Sequence, residues 1–91
     1  MTNNQVSNIA LVGCGYWGKN LCRNFHALGA LNSVVDATEN GQITARSIAP
    51  DIQITHSLED VLMDDQIQGV ALATPAETHT ELAIQSMQAG K

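Results

Sequence analysis

The feature that most limits the fold of this chain is the run Gly13-Cys14-Gly15-Tyr16-Trp17-Gly18, which has the pattern G-x-G-x-x-G. The run follows the apolar segment I-A-L-V after Asn8 and precedes a stretch in which apolar residues recur at helical spacing. Glycines at these three places allow a tight turn, a close approach of the backbone to a ligand, and close packing of a helix on a strand. We therefore predict a buried strand, a glycine turn and a helix at the start of an α/β fold.

The rest of the chain continues this alternation. Further strands are predicted at Leu31–Val35, Gln53–Thr55 and Gly69–Ala73. A second helix is predicted at Glu39–Ile48, and a third begins at the capping pattern of Ser57. A fourth helix begins at the capping-box spacing of Thr78 and Glu81 and runs to about Ala89. Gly41 interrupts the helix that begins at Glu39. The order β-α-β-α-β-α-β-α predicts a partial doubly wound parallel sheet in one domain, residues 1–91, with strand order 3-2-1-4 and helices on both faces.

Two expectations concern packing beside the glycine turn. The first helix is predicted to bury Trp17, Leu21, Phe25 and Leu28, so that Trp17 is core rather than a cover for a ligand, whereas Tyr16 is freer to touch one. The two cysteines, Cys14 and Cys22, are too few and wrongly spaced for a zinc site, and we interpret both as small packing residues. No metal site is expected.

Composition excludes several classes of partner. Nine acidic and four basic residues give a net charge of -5, which is the wrong sign for attracting nucleic acid. No segment approaches the roughly 20 apolar residues that cross a bilayer, and Met1–Asn8 lacks the basic and apolar blocks of a signal peptide. We expect a cytoplasmic protein that contacts neither nucleic acid nor membrane.

The glycine run and Asp36 together predict a dinucleotide site. Backbone N–H groups at the start of the helix, from Tyr16 to Gly18, can bind a pyrophosphate. Asp36 ends the second strand about twenty residues after the glycines, where a carboxylate accepts hydrogen bonds from both ribose hydroxyls. No arginine follows it, and Arg46 is distant, so NAD is favoured over NADP. The alternatives are a glycine turn that only permits packing and an aspartate that only caps a turn.

Three residues near the end of the chain are placed at the same edge of the sheet. Thr74 and Pro75 follow the fourth strand, at the carboxyl ends where ligands of doubly wound sheets bind. They are predicted to line the groove. His79 begins the next helix, where it either reaches the groove or remains a solvated surface residue; His26 and His56 are weaker candidates.

The segments N-I-A-L-V-G-C-G-Y-W-G-K-N (Asn8 to Asn20) and A-T-P-A-E-T-H (Ala73 to His79), with Asp36, resemble the Gfo/Idh/MocA oxidoreductases. The run from Gly15 to Phe25 is especially similar to members that oxidise nucleotide-linked sugars, the UDP-N-acetylglucosaminuronate 3-dehydrogenase type. By this resemblance the dinucleotide would be held by Gly13, Gly15, Tyr16, Trp17, Gly18 and Asp36, and its nicotinamide side bordered by Thr74, Pro75 and His79.

The family's catalytic lysine belongs to an E-K-P motif that would follow Lys91, and its substrate domain would follow that motif. The resemblance thus implies the NAD-binding portion of a sugar, polyol or nucleotide-sugar dehydrogenase, with no catalytic residue in these 91 positions and no activity expected from them alone. A stand-alone dinucleotide-binding module or non-catalytic subunit is the alternative; a methyltransferase using S-adenosylmethionine is less consistent with the glycine spacing. We expect either a homo-oligomer that covers the exposed edge of the sheet or adjacent helices, or a chain of marginal stability.

Overall fold

A computed structural model describes residues 7–91, so the expectation about Met1–Asn8 falls mostly outside the described residues. The strands are β1 (Ile9–Val12), β2 (Leu31–Val35), β3 (Gln53–Thr55) and β4 (Gly69–Leu72). The α-helices are α1 (Gly18–Ala27), α2 (Glu39–Ile48), α3 (Leu58–Leu62) and α4 (His79–Gln88), and a single 3-10 turn, Ala76–Thr78, leads into α4.

The four strands form one parallel sheet in the order β3-β2-β1-β4, as predicted. Val12, at the end of β1, lies opposite Val35 of β2 and Leu72 of β4. This register brings the carboxyl ends of the three strands to one edge of the sheet. The glycine turn, Asp36 and the segment after β4 therefore start from neighbouring positions.

Alternation along the strands divides the core between the two faces of the sheet. Leu11 and Val34 are fully buried in one cluster, together with Cys22 of α1 and Ala45 of α2. The opposite cluster contains Ala10, Val12, Val35, Val61 and Ile67, with Leu58 of α3 and Leu82 of α4 packed against it. The prediction of helices on both faces is confirmed.

The predicted buried face of α1 is wrong. The helix packs through Gly18, Cys22 and the partly buried Phe25, whereas Trp17 and Leu28 are 72% and 65% exposed. The physical reason is close packing: a Cβ on Gly18 would overlap the carbonyl of Gly13, so the facing side of α1 has room only for small residues at its start. Leu21 is also exposed. The packing role predicted for Cys14 and Cys22 agrees with their complete burial.

The predicted capping box of α4 is also wrong. Thr78 has helical backbone angles and makes no side-chain bond to the start of α4. In the preceding 3-10 turn, the N–H and the hydroxyl of Thr78 both donate to the carbonyl of Pro75, so the hydroxyl is engaged behind the helix and not at its first turn. Ser57 likewise precedes α3 without a side-chain cap bond.

Candidate cofactor site

The glycines of the turn differ in what surrounds them. Gly13 has a φ of 97°, and a Cβ there would come within 2.9 Å of the carbonyl oxygen of Ala73. Its N–H donates to the carbonyl of Val35 at 2.7 Å. Gly18 is excluded from bearing a side chain by the Gly13 carbonyl, but a Cβ on Gly15 would meet no described residue within 4 Å other than its chain neighbours. Two glycines are therefore required by packing, and Gly15 faces open space.

Backbone N–H groups after Gly15 are available to a ligand. The amides of Tyr16, Trp17 and Gly18 make no hydrogen bond to any residue in the described range 7–91, whereas Lys19 N–H donates to the Gly15 carbonyl. These three amides stand at the start of α1, where the helix dipole places partial positive charge. An anion beside Gly15 would satisfy donors that the described chain leaves free.

A cavity of about 430 Å³ opens beside this turn, which is within the usual range for small-molecule sites. One side, the central wall, is formed by Gly13, Gly15 and Asp36. The other side, the edge wall, is formed by the residues after β4, namely Thr74, Pro75 and Thr78. The structure thus brings five of the nine predicted site residues to one cavity.

The other four predicted residues do not line this cavity. Tyr16 and Trp17 are 75% and 72% exposed, with their rings edge to face at 5.3 Å and the Lys19 ammonium 5.3 Å from the Tyr16 ring centre. Gly18 contributes close packing instead. His79 is half-buried and its Nε2 lies 2.6 Å from the carbonyl oxygen of Thr74; because a carbonyl only accepts, Nε2–H is the donor.

The Asp36 carboxylate is turned toward the glycine turn. Its Oδ2 accepts from the N–H of Cys14 at 2.8 Å, and its Oδ1 accepts from the N–H and hydroxyl of Thr38 at 2.8 and 2.6 Å. Burial raises the pKa of this carboxyl, but the bonds from the Thr38 hydroxyl and the Cys14 and Thr38 amides outweigh it, so the net pKa lies below its ordinary value. The group is therefore a fixed anion at neutral pH.

The edge wall is stabilised by hydrogen bonds that its own side chains make. The Thr78 hydroxyl donates to the carbonyl of Pro75 at 2.7 Å and lies 2.7 Å from the hydroxyl of Thr74. The bond from His79 to the Thr74 carbonyl closes the same loop. Three local polar contacts thus hold the segment that follows β4.

Sequence reasoning missed Thr38, Thr78 and Leu82 as lining residues and ranked His56 low. Thr38 had a usable signal, since it is the N-cap of α2: its hydroxyl accepts from the N–H of Gly41 at 3.0 Å. His56 directly follows β3 and so lies at the same sheet edge as Asp36. The position of His56 directly after a predicted strand was the signal that sequence reasoning could have used.

The described residues offer little else that is reactive. Burial, followed by interaction with Cys22 and Asp36, raises the pKa of the Cys14 thiol to about 12, and burial also raises that of Cys22, so neither is a thiolate nucleophile at neutral pH.

Residues 7–91 contain no cluster of three side chains able to hold a metal ion. Over the same range, every helix is too short or too polar to traverse a bilayer.

Solved structures with the same architecture include a complex with NAD and dehydrogenases named for sugar substrates. GenD2 from gentamicin A biosynthesis, in complex with NAD, matches with 29% identity and a TM-score of 0.82 over 100% of this chain and 27% of that one. UDP-N-acetylglucosamine 3-dehydrogenase from Acidithiobacillus ferrooxidans matches with 27% identity and a TM-score of 0.72, over 91% of this chain and 26% of that one. Levoglucosan dehydrogenase, complexed with NADH and levoglucosan, matches with 26% identity and a TM-score of 0.77, over 92% of this chain and 25% of that one.

This chain therefore spans about a quarter of the length of these neighbours. The search of curated proteins finds no match. The family model of oxidoreductases with an NAD-binding Rossmann fold, GFO_IDH_MocA, matches residues 7–91. This match agrees with the glycine turn, the strand order and the position of the cavity, and it leaves the methyltransferase alternative without support. The chain belongs to the Gfo/Idh/MocA oxidoreductase family, as its NAD-binding Rossmann domain.

Proposed function

We propose that the cavity between the two walls binds NAD for a dehydrogenase that oxidises a sugar, a polyol or a nucleotide-linked sugar. The observation that carries the proposal is the pairing of three free amides beside the open face of Gly15 with a fixed carboxylate, Asp36, on the same cavity. The amides suit a pyrophosphate, and the carboxylate suits a ribose hydroxyl. The sugar class is supported by the neighbours' substrates, which include levoglucosan and UDP-N-acetylglucosamine.

The remaining site residues have distinct roles in this proposal. Thr74 and Pro75 lie on the edge wall, where they would border the nicotinamide half, while His79 holds the Thr74 carbonyl in place. Tyr16 and Trp17 contribute backbone N–H groups, and their exposed rings are free to fold over a ligand or partner. When bound, NAD supplies a hydride acceptor. The described residues bind and orient it, and substrate contacts and proton transfer fall to other parts of the enzyme.

Calorimetric titration of the chain with NAD tests the site, and Gly15→Ala is the most informative variant. The added methyl group enters the open space beside the free amides, so we expect at least about a tenfold loss of NAD affinity. Stability should change by less than about 0.5 kcal/mol, because among residues 7–91 no atom beyond the two chain neighbours lies within 4 Å of the added Cβ and φ is not positive. Ser47→Ala, on the exposed end of α2, is the matched control. Unchanged affinity in Gly15→Ala, or no binding by the wild-type chain, would refute the proposal.

We also propose that other protein covers the free edge of β4 and the helix beside it, either a substrate domain or a second copy of the chain. β4 pairs only with β1 within the described sheet, and all four of its residues are half-buried. Ile84 and Met87, one helical turn apart on α4, are 46% and 64% exposed. Light scattering on a dilution series checks self-association; a chain that remains monomeric at every concentration contradicts the second-copy form.

A further inference from the structure

Asp36 is held in place before any ligand arrives. A carboxylate has about four acceptor positions, and three are used by the N–H of Cys14 and the N–H and hydroxyl of Thr38. One position therefore remains for a sugar hydroxyl, fewer than the two that the sequence led us to expect. Three bonds from two segments also prevent the carboxylate from swinging away from the cavity.

The room for this arrangement is made by Gly41, which is buried in the first turn of α2. A Cβ on Gly41 would overlap the Asp36 carboxyl group, coming within 2.5 Å of Oδ1 and closer still to Cγ and Oδ2. The backbone of Gly41 is an ordinary helical one, since its φ is not positive. Glycine is thus needed here for space and not for backbone freedom, in a helix where alanine would be the more favourable residue.

Thr38 connects the two features. Its hydroxyl donates to Oδ1 of Asp36 and accepts from the N–H of Gly41, so the capping bond of α2 and the orientation of the carboxylate depend on one side chain. The start of α2 consequently lies against the carboxylate, where the helix dipole favours negative charge. The position of Asp36 is set by α2 as well as by the glycine turn.

We propose that Gly41 is a positioning residue that, with Thr38, fixes the Asp36 carboxylate so that the site selects NAD over NADP. The inference rests on the proposed function. A carboxylate able to rotate away could admit a 2′-phosphate, whereas one held by Cys14, Thr38 and the space at Gly41 meets the phosphate with a like charge and no hydrogen to share. Selectivity would therefore depend on a residue that does not touch the cofactor.

Gly41→Ala tests this proposal, with affinities for NAD and NADP measured by calorimetry and folding checked by circular dichroism. We expect NAD affinity to fall at least about tenfold and the ratio of NAD to NADP affinity to fall toward one. Asn40→Ala, at the exposed neighbouring position of the same helix, should leave both quantities unchanged. Wild-type affinity and selectivity in a folded Gly41→Ala variant would overturn the proposal.

A thermal-unfolding cycle gives a readout that does not need NAD. Gly41→Ala should lower the unfolding midpoint, although helix propensity alone predicts an increase. In an Asp36→Ala background, which removes the carboxylate, the same change should raise the midpoint. If the Gly41→Ala variant does not fold while the Asp36→Ala/Gly41→Ala double variant does, the result supports the coupling between Gly41 and the Asp36 carboxylate. Equal shifts of the unfolding midpoint in both backgrounds overturn that coupling. If the wild-type chain binds no NAD, the proposed function and the selectivity claim both fail, while this cycle still decides the positioning.

Discussion

The two walls of the cavity are built at the same edge of one sheet, yet they are held by different forces. The central wall follows β1 and β2, each of which has a neighbouring strand on both sides, and Leu11 and Val34 beneath it are fully buried. The edge wall follows β4, whose four residues are half-buried and whose loop is fastened by contacts among Thr74, Pro75, Thr78 and His79.

The central wall is thus fixed by buried packing together with the hydrogen bonds to Asp36, whereas the loop of the edge wall is fixed mainly by polar contacts. Truncating a buried leucine costs about 2–5 kcal/mol, whereas one hydrogen bond contributes about 0.5–1.5 kcal/mol. In the central wall Gly13 is also dictated by a neighbouring atom, the carbonyl oxygen of Ala73, whereas Gly15 faces open space. The proposed contacts to phosphate and ribose thus lie on the rigid wall, and the proposed nicotinamide side lies on the wall that adjusts at lower cost.

Matched leucine truncations on the two strands should give the largest effect. Leu11→Ala removes a fully buried side chain, so we expect a loss of about 2–5 kcal/mol in the free energy of unfolding. Leu72→Ala removes a half-buried side chain from β4, and the loss should be less than about half as large. Urea denaturation of the two variants beside wild type measures both values.

An equal loss in the two variants would break the comparison. Leu72 would then be as buried in solution as Leu11, which requires something to cover β4. Repeating the denaturation at several protein concentrations identifies the cover, because a midpoint that rises with concentration indicates association of copies.

The sequence predicted the strands and their order because short apolar runs and the glycine spacing are local signals. It failed for α1, where Leu21 and Leu28 follow helical spacing but the helix is turned by close packing of Gly18 against Gly13. That contact joins segments whose distance is set by the tertiary fold. Spacing of apolar residues shows that a helix has a buried side, and the smallest residues, Gly18 and Cys22, mark where that side is.

The site was predictable in part for a similar reason. Gly15 and Asp36 follow from a motif and its distance along the chain, and the structure places both on the cavity. The role of Gly41 could not be read from the sequence, where it only weakened a predicted helix, because its reason is the Asp36 carboxylate across a turn. The capping box at Thr78 failed because the 3-10 turn before it used the same groups differently.

His79→Ala should produce a smaller, local effect on the edge wall. The change removes the bond to the Thr74 carbonyl, so we expect a loss of about 1 kcal/mol in unfolding free energy. His26→Ala, which removes an imidazole paired with the exposed Asp51, is the control and should cost less. Hydrogen exchange should show faster exchange at the N–H of Thr78 than in wild type. A loss as large as that of Leu11→Ala would mean that the edge wall is as integral as the central one.

Acid should produce the smallest effect, and of the two walls it should act on the central one, through Asp36. The pKa of Asp36 is lowered in the folded chain, so its contribution to stability is complete above the ordinary aspartate pKa of about 4 and is lost as pH falls through the lower, folded value. The stability difference between wild type and Asp36→Asn should therefore be constant from about pH 7 to 5 and shrink below about pH 4. Asp65→Asn, at an exposed position, is the control. None of the three contacts of the edge wall uses a carboxylate, so the difference between wild type and Thr78→Ala should not shrink below about pH 4. If it does shrink there, the two walls are coupled and the contrast between them is overstated.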